Sequence, residues 1–328
     1  MKNVIVNTIK VAFVGIVLSV SSTALLAKQS VDEQMSADPK GSVEIEHVNG
    51  TAVITGWDKE QVSVKGELGD NTEDFRFERN GSSIQIIVET KKKNSWGNWG
   101  KDDGDTLTIF VPRGSRVSYT SVNAEIAMSN ILGGTDIEVV NGDIDVKDLF
   151  QKIRLESVNG DIKANNLDGD LAIETVNGDI NATQLSKQPK SDELALSTVN
   201  GDISIESNSS EVSAETVNGS IELVLQEVDE VELNTVNGSV DVEMILAKDA
   251  SVDVTSVGGS IDLSFQKGVG ARFDIEAHAG GSIKNTISDD KQQKAKYGPR
   301  RWLEFSTQNP TASVDVSTVN GRVKLTTK

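Results

Sequence analysis

A six-residue phrase, Thr-Val-Asn-Gly-Asp-Ile, returns along this chain at intervals of roughly twenty residues, and a repeat of that period restricts the fold more than any composition can. Its Asn falls at Asn123 (SVNAEI), Asn141 (VVNGDI), Asn159 (SVNGDI), Asn177 and Asn200 (TVNGDI), Asn218 (TVNGSI), Asn237 (TVNGSV) and Asn320 (TVNGRV). Two further copies, SVGGSI at Ser256 to Ile261 and HAGGSI at His278 to Ile283, carry Gly258 and Gly280 in the place of the Asn. A unit this short cannot bury an apolar face alone, so neighbouring copies must stack.

Aligned on the Asn, apolar residues recur six, four and one before it and three and five after it, as in Leu171, Ile173, Val176, Ile180 and Ala182. A period of two interrupted by a corner means short strands with one buried face. Their return every coil lays each strand over the previous one. The pattern predicts an all-β chain: a single-stranded parallel β-helix, or β-solenoid, of about ten coils and about 45 to 50 Å in length. Parallel crossover connections favour the right hand, so a right-handed coil is expected.

The Asn-Gly pair suits a corner because both residues tolerate left-handed dihedrals at low cost. Stacked at about 4.8 Å, Asn141, Asn159, Asn177, Asn200, Asn218, Asn237 and Asn320 would form an inward amide ladder of structural purpose. Ser or Thr two places earlier (Ser157, Thr175, Thr198, Thr216, Thr235, Ser256, Thr318) would form a hydroxyl ladder beside it. His47 and His278, the two histidines, stand two residues before a corner and take the same place in that ladder.

Residues 1–27 have the form of a signal peptide: Lys2 and Lys10, an apolar stretch from Val11 to Val20, then small residues to Ala27. The organisation expected after it is a flexible linker over 28–42, an N-terminal antiparallel β cap over 43–118, and the solenoid over 119–328 with a protruding loop at 288–310. Asn80-Gly81 between two alternating runs marks a hairpin within the cap. A cap is required because an open strand edge invites aggregation. The chain contains no cysteine, which removes disulfides and thiolate chemistry. Its formal charge is −18, and loss of Lys2 and Lys10 with the signal leaves about −20, which repels nucleic acid and anionic headgroups. No nucleic-acid partner and no membrane span after signal cleavage are expected, and the chain is placed in the periplasm or at the cell surface.

The run GSVEIEHVNGTAVITGWDKEQVSVKGEL, followed by LTIFVPRGSRV and then serial TVNGDI coils, resembles the bacterial putative-adhesin family of β-strand-repeat proteins, over roughly residues 41 to 327. The resemblance implies an envelope or surface protein with a binding role in a domain of unknown function, and brings no catalytic residue. The Gly-substituted corners and the basic loop near the carboxyl end depart from the family pattern.

Several residue groups are candidates for that binding. Asp143, Asp161, Asp179 and Asp202 place a carboxylate at one corner of four coils, either a calcium-binding edge or a solvated one. No cofactor is expected beyond calcium at this edge. Residues 135 to 264 hold 27 Asp and Glu against 7 Lys and Arg, so a cation or basic ligand would be drawn to the middle of the rod. Tyr297, Arg300, Arg301 and Trp302, with Lys291, Lys294 and Lys296, could grip an anionic glycan or an acidic partner, or form a solvated loop. Trp96 and Trp99 could stack on sugar rings or close the end of the solenoid. Carboxylates are plentiful and none is singled out, so the expected function is a non-catalytic binding or scaffold protein recognising a glycan or an envelope protein. The alternative is a carbohydrate-active lyase or hydrolase built on the same scaffold.

Overall fold

The computed structural model describes residues 29–91, 104–185 and 193–328, so the signal segment at 1–27 lies outside the described residues. All regular structure in it is β: 23 strands hydrogen-bonded into one mixed sheet. Among the described residues no helix is long and apolar enough to cross a membrane.

The chain opens with β1 (Gln29–Ser36), β2 (Ser42–Trp57), β3 (Gln61–Leu68), β4 (Thr72–Asn80), β5 (Ser83–Thr90), β6 (Asp105–Pro112) and β7 (Arg116–Ile131). β2 and β7 are each a whole coil, bent at their corners and paired in parallel so that Asn49 faces Asn123. On its other side β2 pairs in parallel with β5 along its first half and with β6 along its second. Thus β5 and β6 together make the outermost coil. The segment 43–118 is therefore not an antiparallel layer throughout; it contributes two coils to the stack. Only β4 against β5, β3 against β6 and β1 against β3 are antiparallel, and these close the end. Residues 29–36, expected within a linker, are the strand β1, because Val31 and Met35 alternate toward the sheet and pair with Gly66 and Val62.

The regular middle alternates two strands per coil: β8 (Thr135–Asn141) with β9 (Ile144–Leu149), β10 (Ile153–Asn159) with β11 (Ile162–Leu167), β12 (Leu171–Asn177) with β13 (Ile180–Gln184), and β14 (Glu193–Asn200) with β15 (Ile203–Ser207). β16 (Glu211–Asn218) pairs with the second half of β17 (Ile221–Asn237), which in turn pairs with β18 (Val240–Phe265). Every pairing from β7 to β18 is parallel, and each Asn faces the Asn of the next coil up to Asn237 opposite Gly258. Between the two strand columns lies a narrow core of aliphatic side chains. Ile153, Leu155, Ile162, Ala164 and Leu167 are the fully buried set of one coil. Such a thin layer has few apolar contacts of its own, so its stability rests on the layers above and below.

The final strands are β19 (Ala271–Ala277), β20 (Ser282–Asn285), β21 (Gln293–Lys294), β22 (Arg301–Ser306) and β23 (Ala312–Thr327). They do not stack in chain order. β23, which carries the last copy, pairs in parallel with β18 on one side and with β19 and β20 on the other. The coil of HAGGSI is thus outermost and the coil of TVNGRV lies beneath it. Counting β5/β6, β2 and β7 at one end and β23 and β19/β20 at the other gives twelve layers, about 50 Å of rod at about 4.8 Å per step. The segment 288–310, expected as a protruding loop, folds back instead: β22 lies antiparallel along β19 and β21 along β22. Phe305 stacks on Phe273 at 4.5 Å between ring centroids, which gives β22 its reason to return.

Candidate functional site

The Asn-Gly corner runs up one edge of the rod and carries three ladders. The Nδ2 of Asn141 donates to Oδ1 of Asn123 at 2.9 Å, and Asn159, Asn177, Asn200, Asn218 and Asn237 each do the same to the Asn one layer below, at 2.8 to 3.0 Å. These amides face solvent rather than the interior. Asn320 stands apart from the series, because the layers on its two sides present Gly258 and Ala279.

The hydroxyls two places before the corner are buried, and those of five successive layers donate to the corner glycine carbonyl of the layer below, while Ser256 reaches Gly258 in its own coil and Thr318 makes no such bond. Ser157, Thr175, Thr198, Thr216 and Thr235 reach Gly142, Gly160, Gly178, Gly201 and Gly219 at 3.2 to 3.5 Å. His47 occupies this column beside Ser121 and is buried, but His278 does not. Ala277 takes the buried place opposite Thr318, and His278 is turned outward with Nε2 3.4 Å from Glu276 Oε2.

At Gly50, Gly142 and Gly259 the corner backbone has a positive φ of 134°, 148° and 119°, but in the layers between, close approach rather than left-handed backbone calls for glycine. A Cβ on Gly160, Gly178, Gly201, Gly219 or Gly238 would sit 1.7 to 2.1 Å from the carbonyl oxygen of the glycine below. Non-glycine residues with left-handed backbone stand at the other corner, among them Asn130, Asp148 and Asn166 with φ of 62°, 56° and 54°.

Asp143, Asp161, Asp179 and Asp202 form the third ladder. Each offers Oδ1 to the backbone N–H of the same position one layer on, at 2.7 to 2.9 Å, the last reaching Ser220. One oxygen of every carboxylate is thereby engaged in joining layers. Among the described residues no three acidic or histidine side chains are grouped to hold a metal ion.

Three widely separated segments meet in a buried polar cluster that the repeat pattern does not reveal. His47 Nδ1 lies 3.0 Å from Tyr119 Oη, and His47 Nε2 lies 3.2 Å from Asp105 Oδ2. Asp105 Oδ1 accepts from the Gly69 amide at 2.7 Å and the Thr72 hydroxyl at 2.5 Å. Burial pushes the Asp105 carboxyl up, but the hydrogen bonds from His47, Thr72 and Gly69 and the charge of His47 outweigh it and hold it below 3.8. Burial lifts the Tyr119 phenol well above its usual range. With all three side chains sealed from solvent, the cluster fastens β6, β2 and β7 to one another.

At the far end the basic and aromatic residues come together on and beside β22. Arg300 pairs with Glu276, and its guanidinium lies 5.4 Å from the Trp302 ring centroid. Tyr297 is 83% exposed, with Lys296 over its ring, while Arg301 and Trp302 are half-buried against β19. Trp96 and Trp99 fall outside the described residues.

The outward face of the first strand column carries what sequence reasoning misplaced. The valine one before each Asn, grouped by apolarity with the inward set, points to solvent. Val122, Val140, Val158, Val176, Val199, Val217, Val236, Val257 and Val319 are 36% to 43% exposed, one above another. Two residues earlier on the same face runs a polar column that includes Glu138, Glu156, Glu174 and Glu215. Between the two columns is a shallow groove of about 380 Å³ spanning four layers from Val140 to Val199.

Residues 41–326 match the Toastrack DUF4097 family. The chain belongs to this family, whose function is unknown. Among curated proteins none matches it. Solved structures similar to this Toastrack chain include a putative adhesin from Parabacteroides merdae, at 10% identity and a TM-score of 0.38, covering 90% of this chain and 96% of that one. A putative lipid binding protein from Parabacteroides distasonis matches at 12% and 0.37, covering 89% and 96%. A putative adhesin from Bacteroides fragilis matches at 12% and 0.34, covering 91% and 98%.

Proposed function

We propose that this Toastrack protein is a non-catalytic binding or scaffold component of the cell envelope, exported by residues 1–27 and displaying its side-chain columns on a right-handed parallel β-helix. The observation that supports this reading is the regularity of the surface. Outward residues hold register over consecutive layers, so a weak contact at one layer is repeated at the next and summed along the rod. The Asn amides and one oxygen of each corner carboxylate are engaged in joining layers, and the buried His47, Asp105 and Tyr119 are closed to substrate. The ligand class is a glycan or another envelope protein.

Binding of the purified protein to a panel of envelope glycans and to the envelope proteins of its own cell, the latter by residue-specific photo-cross-linking, tests the reading. A retained glycan or one saturably cross-linked protein is expected. Turnover of a polysaccharide, with shortened or unsaturated products, would replace it with the enzyme reading.

A further inference from the structure

We infer that the groove beside the valine column is the docking site for a basic amphipathic helix of a partner polypeptide. This rests on the binding role proposed above and names the partner's chemistry. The first support is the uniformity of the column. At the place before the Asn, nine successive layers present Val, whereas the neighbouring outward column holds Thr120, Glu138, Glu156, Glu174, Ser197, Glu215, Asn234, Thr255 and Ser317 in the same layers. Thr has the shape and β-branching of Val and would serve the strand equally well while keeping a polar surface. Strand propensity therefore does not account for an all-valine column. A contiguous apolar strip rimmed by charge is the surface that an interface needs.

The second support is charge. Glu138 and Glu174 form no direct salt bridge among the described residues, while Arg154 is held by Glu156 and feels Glu174 only at longer range. A second copy of this chain would set its own glutamates against these, and an anionic membrane would be repelled in the same way. A cationic partner is drawn to both.

The third support is spacing. Layers repeat at about 4.8 Å, and the apolar seam of a helix repeats about every 3.5 residues, or about 5.3 Å. The two drift by about half an ångström per step, so a helix lying along the column stays in register over the four layers of the groove. Extended strands, whose same-face residues are about 6.8 Å apart, fall out of step at once. The partner segment is thus a helix of about ten to fourteen residues, with Leu or Ile toward Val140 to Val199 and Lys or Arg toward the glutamates.

The probe is a labelled fourteen-residue helical peptide with Leu at the seam and Lys along one flank, titrated against the purified protein in physiological salt and read by fluorescence anisotropy. Micromolar binding is expected. Val158→Thr with Val176→Thr should weaken it at least tenfold with the melting temperature unchanged, and Glu138→Gln with Glu174→Gln should weaken it severalfold and flatten its salt dependence. Equal binding of a peptide with shuffled leucines, or unaltered binding by the valine variant, would overturn the assignment. A valine-dependent dimer of the protein alone would overturn it in favour of a second copy, and valine-dependent recruitment to anionic vesicles in favour of lipid. Should the assignment fall while the valine variant still retains its glycan or cross-linked protein, the binding role stands and only this surface is wrong.

Discussion

Valine and threonine exchange the places that hydropathy gives them in the coils of Asn177, Asn200, Asn218 and Asn237, where Thr is buried and Val exposed. Strict alternation from Leu171 and Ile173 points to Thr175 as the next inward residue, yet its polarity argues for Val176. Hydrogen bonding favours it: the Thr175 hydroxyl donates to the Gly160 carbonyl of the layer below, which a methyl could not do. The period was readable in the sequence; this hydrogen bond was not. The corner glycine was likewise legible, but its cause is the proximity of the next layer. Gly178→Ala should therefore cost about 2 to 4 kcal/mol, seen as a lower melting temperature with unchanged β-type circular dichroism. The cluster of His47, Asp105 and Tyr119 could not be found from sequence, since its members share no spacing and one lies outside the repeat. Because the Asp105 carboxyl is held below 3.8 when folded, its stabilising contribution is present above that pH and is lost as pH falls below it. Asp105→Asn should remove that acid-dependent part and cost on the order of 2 kcal/mol at neutral pH by loosening a buried hydrogen-bonded pair, measured by denaturant unfolding at pH 7 and pH 3.

Among the elements, parallel stacking followed from the repeat, and the ends did not. The sequence spaces its last copies 22 and 40 residues apart, which marks an irregularity without showing its form. The structure shows a strand placed between two others: β23 supplies hydrogen bonds to β18 below and to β19 and β20 above. Ending the chain at residue 311 would strip partners from both and leave β19 and β22 as a detached hairpin. Such a chain should aggregate, in contrast to one shortened at β1, which loses only an outer antiparallel edge. Light scattering of the two truncations side by side tests this.

Over the whole molecule, outward side chains recur in columns from layer to layer among the described residues. The acidic balance of residues 135 to 264 was plain in composition, but which side chains share a face depends on the register of the columns. Residues 312–327 follow in sequence the strands that cover them. The layer of β18 and the layer of β19 and β20 meet only through residues 312–327, so this end of the rod can close only once that segment is seated between them.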